Sequence, residues 1–105
     1  MGKMSLEIPH SLSKDDALAR AHLLTEAWGS KYGVRSTWNG DGVDFHGKVM
    51  GIALEGTMRV LDGKISGEAT DPGMLLRGQA KKYVERKFAE YLDPKKTLGD
   101  LKREV

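Results

Sequence analysis

The sequence predicts an α+β domain of order β-α-β-β-β-β-α, an antiparallel sheet with two helices packed on one face. Three stretches carry that expectation. Residues 14 to 32 repeat apolar side chains at steps of three and four, as one buried helix face requires. "GIALEGTMRV" and "KISGEAT" alternate around Asp62-Gly63, as a hairpin with one solvated face requires. "GMLLRGQAKKYVERKFAEYL" then returns to helical spacing.

Taken in order, "SLEIP" is a short first strand with Leu6 and Ile8 on one face and Pro9 ending it. Ser13 is placed to cap the first helix, with Asp15 and Asp16 in the first turn where the helix dipole favours carboxylates. Its stripe is Ala17, Ala21, Leu24, Trp28 and Tyr32, and Gly33 stands where a left-handed C-cap is expected. "VRSTW", the turn "NGDG" and "VDFHGKV" form a hairpin. In the next strand Ile52, Leu54, Met58 and Val60 face inward, and Ile65 and Ala69 do so on the return. Glycines 51, 56 and 67 mark bulges or close packing under a helix. Asp71 and Pro72 open the closing helix as N-cap and first residue, and its stripe is Leu76, Ala80, Tyr83, Val84, Phe88 and Tyr91. The expected domain is 1–92, and 93–105 reads as a charged tail of weak helical tendency after Pro94.

Composition narrows the function classes. At 105 residues there is room for one core, and 39% hydrophobic with 30% charged residues is a globular rather than a disordered balance. The absence of cysteine excludes disulfides, thiolate metal sites and Cys nucleophiles. No apolar run approaches the ~18 to 20 residues of a membrane span, and the N-terminus shows no signal-peptide pattern, so a cytoplasmic protein is expected. The net charge of +2 is uneven: residues 72 to 105 hold nine Lys/Arg against five Asp/Glu, while residues 1 to 50 balance. That surplus is too small to indicate nucleic-acid binding.

Little here has the pattern of catalytic chemistry. His10, His22 and His46 fall on a loop, a helix and a strand without ligand-pair spacing. His10, just before the helix cap, has the position to hold a turn by hydrogen bonding. Asp15 with Asp16 is explained by the helix dipole, and Asp41 with Asp44 by a turn. The glycines match no phosphate-binding loop, and no serine has a nucleophile-elbow context. The expectation is a non-enzyme with no cofactor and no metal. Trp28 belongs to the helix stripe, whereas Trp38, at a strand end beside a turn, fits either packing or a contact.

The N-terminal "IPHSLSKDDALARA", with its Ile-x-His-x-Leu lead, resembles the polyhydroxyalkanoic acid system family, also called the granule-region family. The likeness continues through Trp38 and its "NGDG", Phe45, Gly51, Gly56 and the closing "MLLRGQAKKYVERKFAEYL", over roughly residues 5 to 92. It implies a small bacterial cytoplasmic protein encoded near polyester-granule genes, and no established catalytic residue, cofactor or activity. The expected role is an accessory or interaction protein of storage-polyester metabolism. Met74 and Leu75 would meet a granule surface or protein partner, and Lys81, Lys82 and Arg86 an anionic group. The competing view of the helix is that its stripe is core and its basic side only solvated. Two other functions fit less of the chain. A small apolar-ligand carrier would use Met4, Met50, Met58 and Met74 as an adaptable lining. A double-stranded RNA-binding module has helices and strands in a similar order, but the extra first strand and the lack of a basic loop count against it.

Overall fold

In the computed structural model, which describes residues 3–49, 51–70, 73 and 76–104, the sequence pattern becomes a five-stranded sheet covered on one side by helices. The elements are β1 (Lys3–Pro9), α1 (Lys14–Tyr32), β2 (Arg35–Asn39), β3 (Gly42–Val49), β4 (Ile52–Leu61), β5 (Lys64–Thr70), α2 (Arg77–Tyr91) and α3 (Leu98–Glu104). The strand order is β1-β5-β4-β3-β2, antiparallel throughout. Strands β2 to β5 are a meander, and β1 joins the far edge beside β5. Among the described residues no helix is long and apolar enough to cross a membrane.

Register puts the alternating apolar residues on one face. Val43 lies opposite Met58, Met58 opposite Gly67, and Gly67 opposite Leu6; Phe45, Gly56, Ala69 and Met4 make the next row. These residues enter one core with Ala17, Leu24 and Trp28 of α1 and Val84 and Phe88 of α2. The opposite face carries Arg35, Asp44, His46, Glu55, Arg59 and Glu68, all exposed. A one-residue slip anywhere would exchange these two sets, so the pattern itself specifies the register.

Local chemistry fixes the ends of α1. The Ser13 hydroxyl accepts from the Asp16 N–H at 3.2 Å. Gly33, at φ 72°, donates to the Gly29 carbonyl and closes the helix in the left-handed form. The two-residue turns use the same freedom, with Gly40 at φ 64° and Gly63 at φ 80°. Tyr32, assigned to the buried stripe by spacing, is 40% exposed because the helix ends there, past the edge of the core.

The glycines inside strands have different reasons from the ones their positions suggest. Gly51 is a turn residue at φ 80°, not a bulge. Gly56 and Gly67 are indeed places of close packing, but against the neighbouring strand rather than under a helix. A β-carbon on Gly56 would strike the Glu68 carbonyl and come within 2.7 Å of the Ala69 Cα. One on Gly67 would strike the Thr57 carbonyl and come within 2.7 Å of the Met58 Cγ.

The C-terminal third departs most from expectation. Helix α2 is described from Arg77, with Leu76 at the cap position and no side-chain cap. Gly73 stands at φ 106°, outside the helical region. The proposed cap pair Asp71 and Pro72 lies outside the described residues. Leu76, expected in the stripe, is 38% exposed because it precedes the first helical turn, while Ala80, Val84, Phe88 and Tyr91 are buried. Beyond Pro94 the expected tail instead folds into α3. Thr97 and Asp100 cap it reciprocally, each backbone N–H donating to the other side chain at 3.1 Å. Leu101 is fully buried against the core.

Arg20 fastens this segment. It is 4% exposed although it sits on α1. Its Nε donates to Asp16 Oδ1 at 3.1 Å, one terminal nitrogen to the Tyr91 and Asp93 carbonyls at 3.1 and 2.7 Å, and the other to the Lys96 carbonyl at 2.6 Å. The guanidinium thus satisfies the Tyr91 carbonyl at the end of α2 and ties down the Asp93 and Lys96 carbonyls of the connection to α3. Arg20→Met should cost about 2 to 4 kcal/mol in urea denaturation and speed amide exchange first in residues 93 to 104. Gly56→Ala and Gly67→Ala should each lose about 1 to 3 kcal/mol. Gly78→Ala, with open space around its β-carbon position on an exposed part of α2, should gain up to about 1 kcal/mol in the same assay.

Candidate functional site

Helix α2 leaves one edge free beside the sheet. Gln79, Lys82, Tyr83 and Arg86 recur at steps of three, one and three, so they share a strip along one side of the helix. The end of the β3–β4 hairpin faces that strip with Val49, Ile52 and Leu54. Val49 and Ile52 are a cross-strand pair, and Leu54 lies two residues along on the same face. Between helix and hairpin runs an open groove of about 410 Å³, with Ala80 at its base. Its floor is apolar and its rim basic.

The charges on that rim are uncompensated. Among the described residues, Lys81, Lys82 and Arg86 have no carboxylate within ion-pair distance, whereas Lys87 on the same helix pairs with Glu90 at 3.7 Å. The Arg86 guanidinium lies over the Tyr83 ring, 5.9 Å from its centroid, which holds the cation beside the groove wall. Tyr83 is in turn fixed from behind. Its hydroxyl accepts from Trp28 Nε1 at 3.1 Å, and Trp28 packs edge-on against Phe88 and tilted against Phe45. Burial pushes the Tyr83 phenol above the ordinary tyrosine range, only partly offset by the Trp28 hydrogen bond, so the groove wall is neutral at physiological pH.

Of the residues singled out from sequence, the fold brings Lys82 and Arg86 to the groove. Lys81 is exposed on the neighbouring helix face and does not line it. Met74 and Leu75 lie outside the described residues, as does Met50. Met4 and Met58 are packed in the core and do not line this groove. His10 is a structural histidine. Its Nε2 donates to the Leu61 carbonyl at 3.0 Å while Nδ1 accepts from the Leu12 N–H at 3.2 Å, tying the β1–α1 connection to the β4–β5 hairpin. Trp38 also serves packing. It stacks on His22 at 3.8 Å and donates from Nε1 to the Thr25 hydroxyl at 3.1 Å, fixing edge strand β2 to α1. His46 stands apart on the open face, 3.3 Å from Glu55. Gln79 and Tyr83 were invisible as site residues because spacing assigns one to a solvated side and the other to the core. Their common edge with Lys82 and Arg86 was the available signal.

Tyr83→Phe should cost about 1 kcal/mol at neutral pH, by removing the acceptor for Trp28. A phenol whose folded pKa lies above its unfolded value of about 10 holds its proton longer in the folded state, so its contribution is complete below that value and falls as pH rises beyond it. The stability gap between wild type and Tyr83→Phe should therefore narrow above about pH 10, read by urea denaturation at several pH values.

Comparison with known proteins places this geometry in a family. No curated protein and no solved structure matches the chain. The model of the family described as "Putative polyhydroxyalkanoic acid system protein" matches residues 4–95, which takes in the sheet, both long helices and the groove, and the chain belongs to that family.

Proposed function

We propose that this protein is a non-enzymatic accessory protein of polyhydroxyalkanoate storage-granule metabolism, working in the bacterial cytoplasm through the surface along α2. The observation that carries the reading is the groove: an apolar floor of Val49, Ile52 and Leu54 beside Lys82 and Arg86, which have no ion-pair partners among the described residues. A buried stripe alone would explain α2 as a core helix, and Ala80, Val84 and Phe88 are such a stripe. The groove is additional to it. An apolar strip rimmed by cations suits a surface that is hydrocarbon-like within and anionic at its boundary, as a polyester particle coated with lipid or protein would be. The family membership supplies the polyester context. Lys81 would add long-range attraction from the adjacent helix face.

The test is co-sedimentation of the purified protein with native polyester granules at low and near-physiological salt. Wild-type protein should pellet in both, because apolar docking survives screening. Ile52→Ser should weaken binding by about tenfold, the cost of exposing roughly half of an isoleucine contact. Lys82→Glu with Arg86→Glu should abolish the low-salt component, and Met74→Ser with Leu75→Ser asks the same of the apolar residues preceding α2. Absence of wild-type protein from the pellet at both salts would overturn direct granule docking.

A further inference from the structure

From the shape and charge of the same groove, we infer that it is a binding site for a single acyl chain ending in a carboxylate, a fatty- or hydroxy-acid anion. The inference shares the site named above and specifies its ligand chemistry, but it does not require a granule. In this arrangement the hydrocarbon lies along Val49, Ile52, Leu54 and the Tyr83 ring, and the carboxylate sits between Lys82 and Arg86.

Three features select this occupant. The volume, about 410 Å³, is in the range of small-molecule sites and too small for a folded partner's helix to enter. The floor is built of aliphatic side chains with one aromatic face, which favours a flexible hydrocarbon over a polar or planar ligand. The rim supplies two cations one helical turn apart and no lining carboxylate. A neutral apolar ligand would leave those charges unused and partly desolvated, at a cost, whereas a carboxylate meets the guanidinium fork with two parallel hydrogen bonds. Two cations match one monoanion; a polyanion such as nucleic acid would need several more in convergence. Arg86 is already held over Tyr83 and Tyr83 is held by Trp28, so the head-group position is largely formed before binding.

The experiment is titration of the full-length protein with decanoate, followed by amide chemical shifts, with decanol and decyl phosphate as matched probes. Decanoate should give saturable shifts centred on residues 49–54 and 79–86, and bind at least about tenfold tighter than decanol. Lys82→Gln with Arg86→Gln, both exposed and outside the core, should remove that preference while leaving the fold unchanged, read from the amide shifts outside the groove. Equal affinity for decanol and decanoate would overturn the head-group assignment, and much tighter decyl phosphate binding would replace the carboxylate with a phosphate. Shifts elsewhere, or none below the solubility limit, would overturn the site. Failure of this inference is distinguishable from failure of granule docking. Saturable decanoate binding without pelleting retains the acyl site and removes the granule, and pelleting without decanoate shifts does the reverse.

Discussion

A buried guanidinium joins the two ends of the helical layer. Arg20 lies on the second turn of α1, yet three of its four bonds reach carbonyls that follow one another from the last residue of α2 into the connection to α3. The Tyr91 carbonyl is one of the groups a helix leaves unsatisfied at its C-terminus, and here a side chain from another helix supplies its donor; the Asp93 and Lys96 carbonyls belong to the connection that follows. The charge is made tolerable by Asp16 one turn earlier on α1, at 3.1 Å. The end of α2 is thereby fixed to α1, at the opposite end of the helix from the residues that line the groove.

Packing around Trp28 sets the other coordinate. The indole touches Phe45 on the sheet and Phe88 and Tyr83 on α2, so one large side chain on α1 spaces the other helix from the strands. At the hairpin end, Val49 is buried in the same core, Ile52 packs partly exposed against it, and both line the groove. What looks like an unfilled margin of the core therefore has firm walls. On the opposite face of the sheet, charged residues of both signs alternate with threonine and serine.

The parts legible in the sequence were those governed by local rules. Strand alternation, the Gly40 and Gly63 turns, the Ser13 cap and the Gly33 stop each depend on residues a few positions apart, and all appear in the structure. The illegible parts depend on distant partners. Arg20 reads as one more solvated charge until the carbonyls it serves are known. Helix α3 was announced by Thr97 and Asp100, a capping pair three residues apart, but the surrounding charge hid it, and Leu101 supplies its buried apolar contact. Gly56 and Gly67 signal closeness without saying to what; their neighbour is a backbone on the next strand. For the groove, Lys82 and Arg86 were visible as a basic edge; Ile52 and Leu54 were assigned inward, and Leu54 is buried as expected, but periodicity does not show that Ile52 stays partly open at the margin of the core.

The position of β1 has a bearing on how the chain reaches this state. Strands β2 through β5 are consecutive neighbours, and each can pair as soon as the next turn closes. Strand β1 has no such early partner, since Lys3 lies opposite Thr70 and the whole meander must exist before Met4, Leu6 and Ile8 find cover. Most of the loop-closure entropy of the sheet is therefore concentrated in one late event. Until then the apolar strand waits upstream of the meander, with Lys3, Ser5 and Glu7 on its other side and Pro9 at its end discouraging premature association with foreign strand edges.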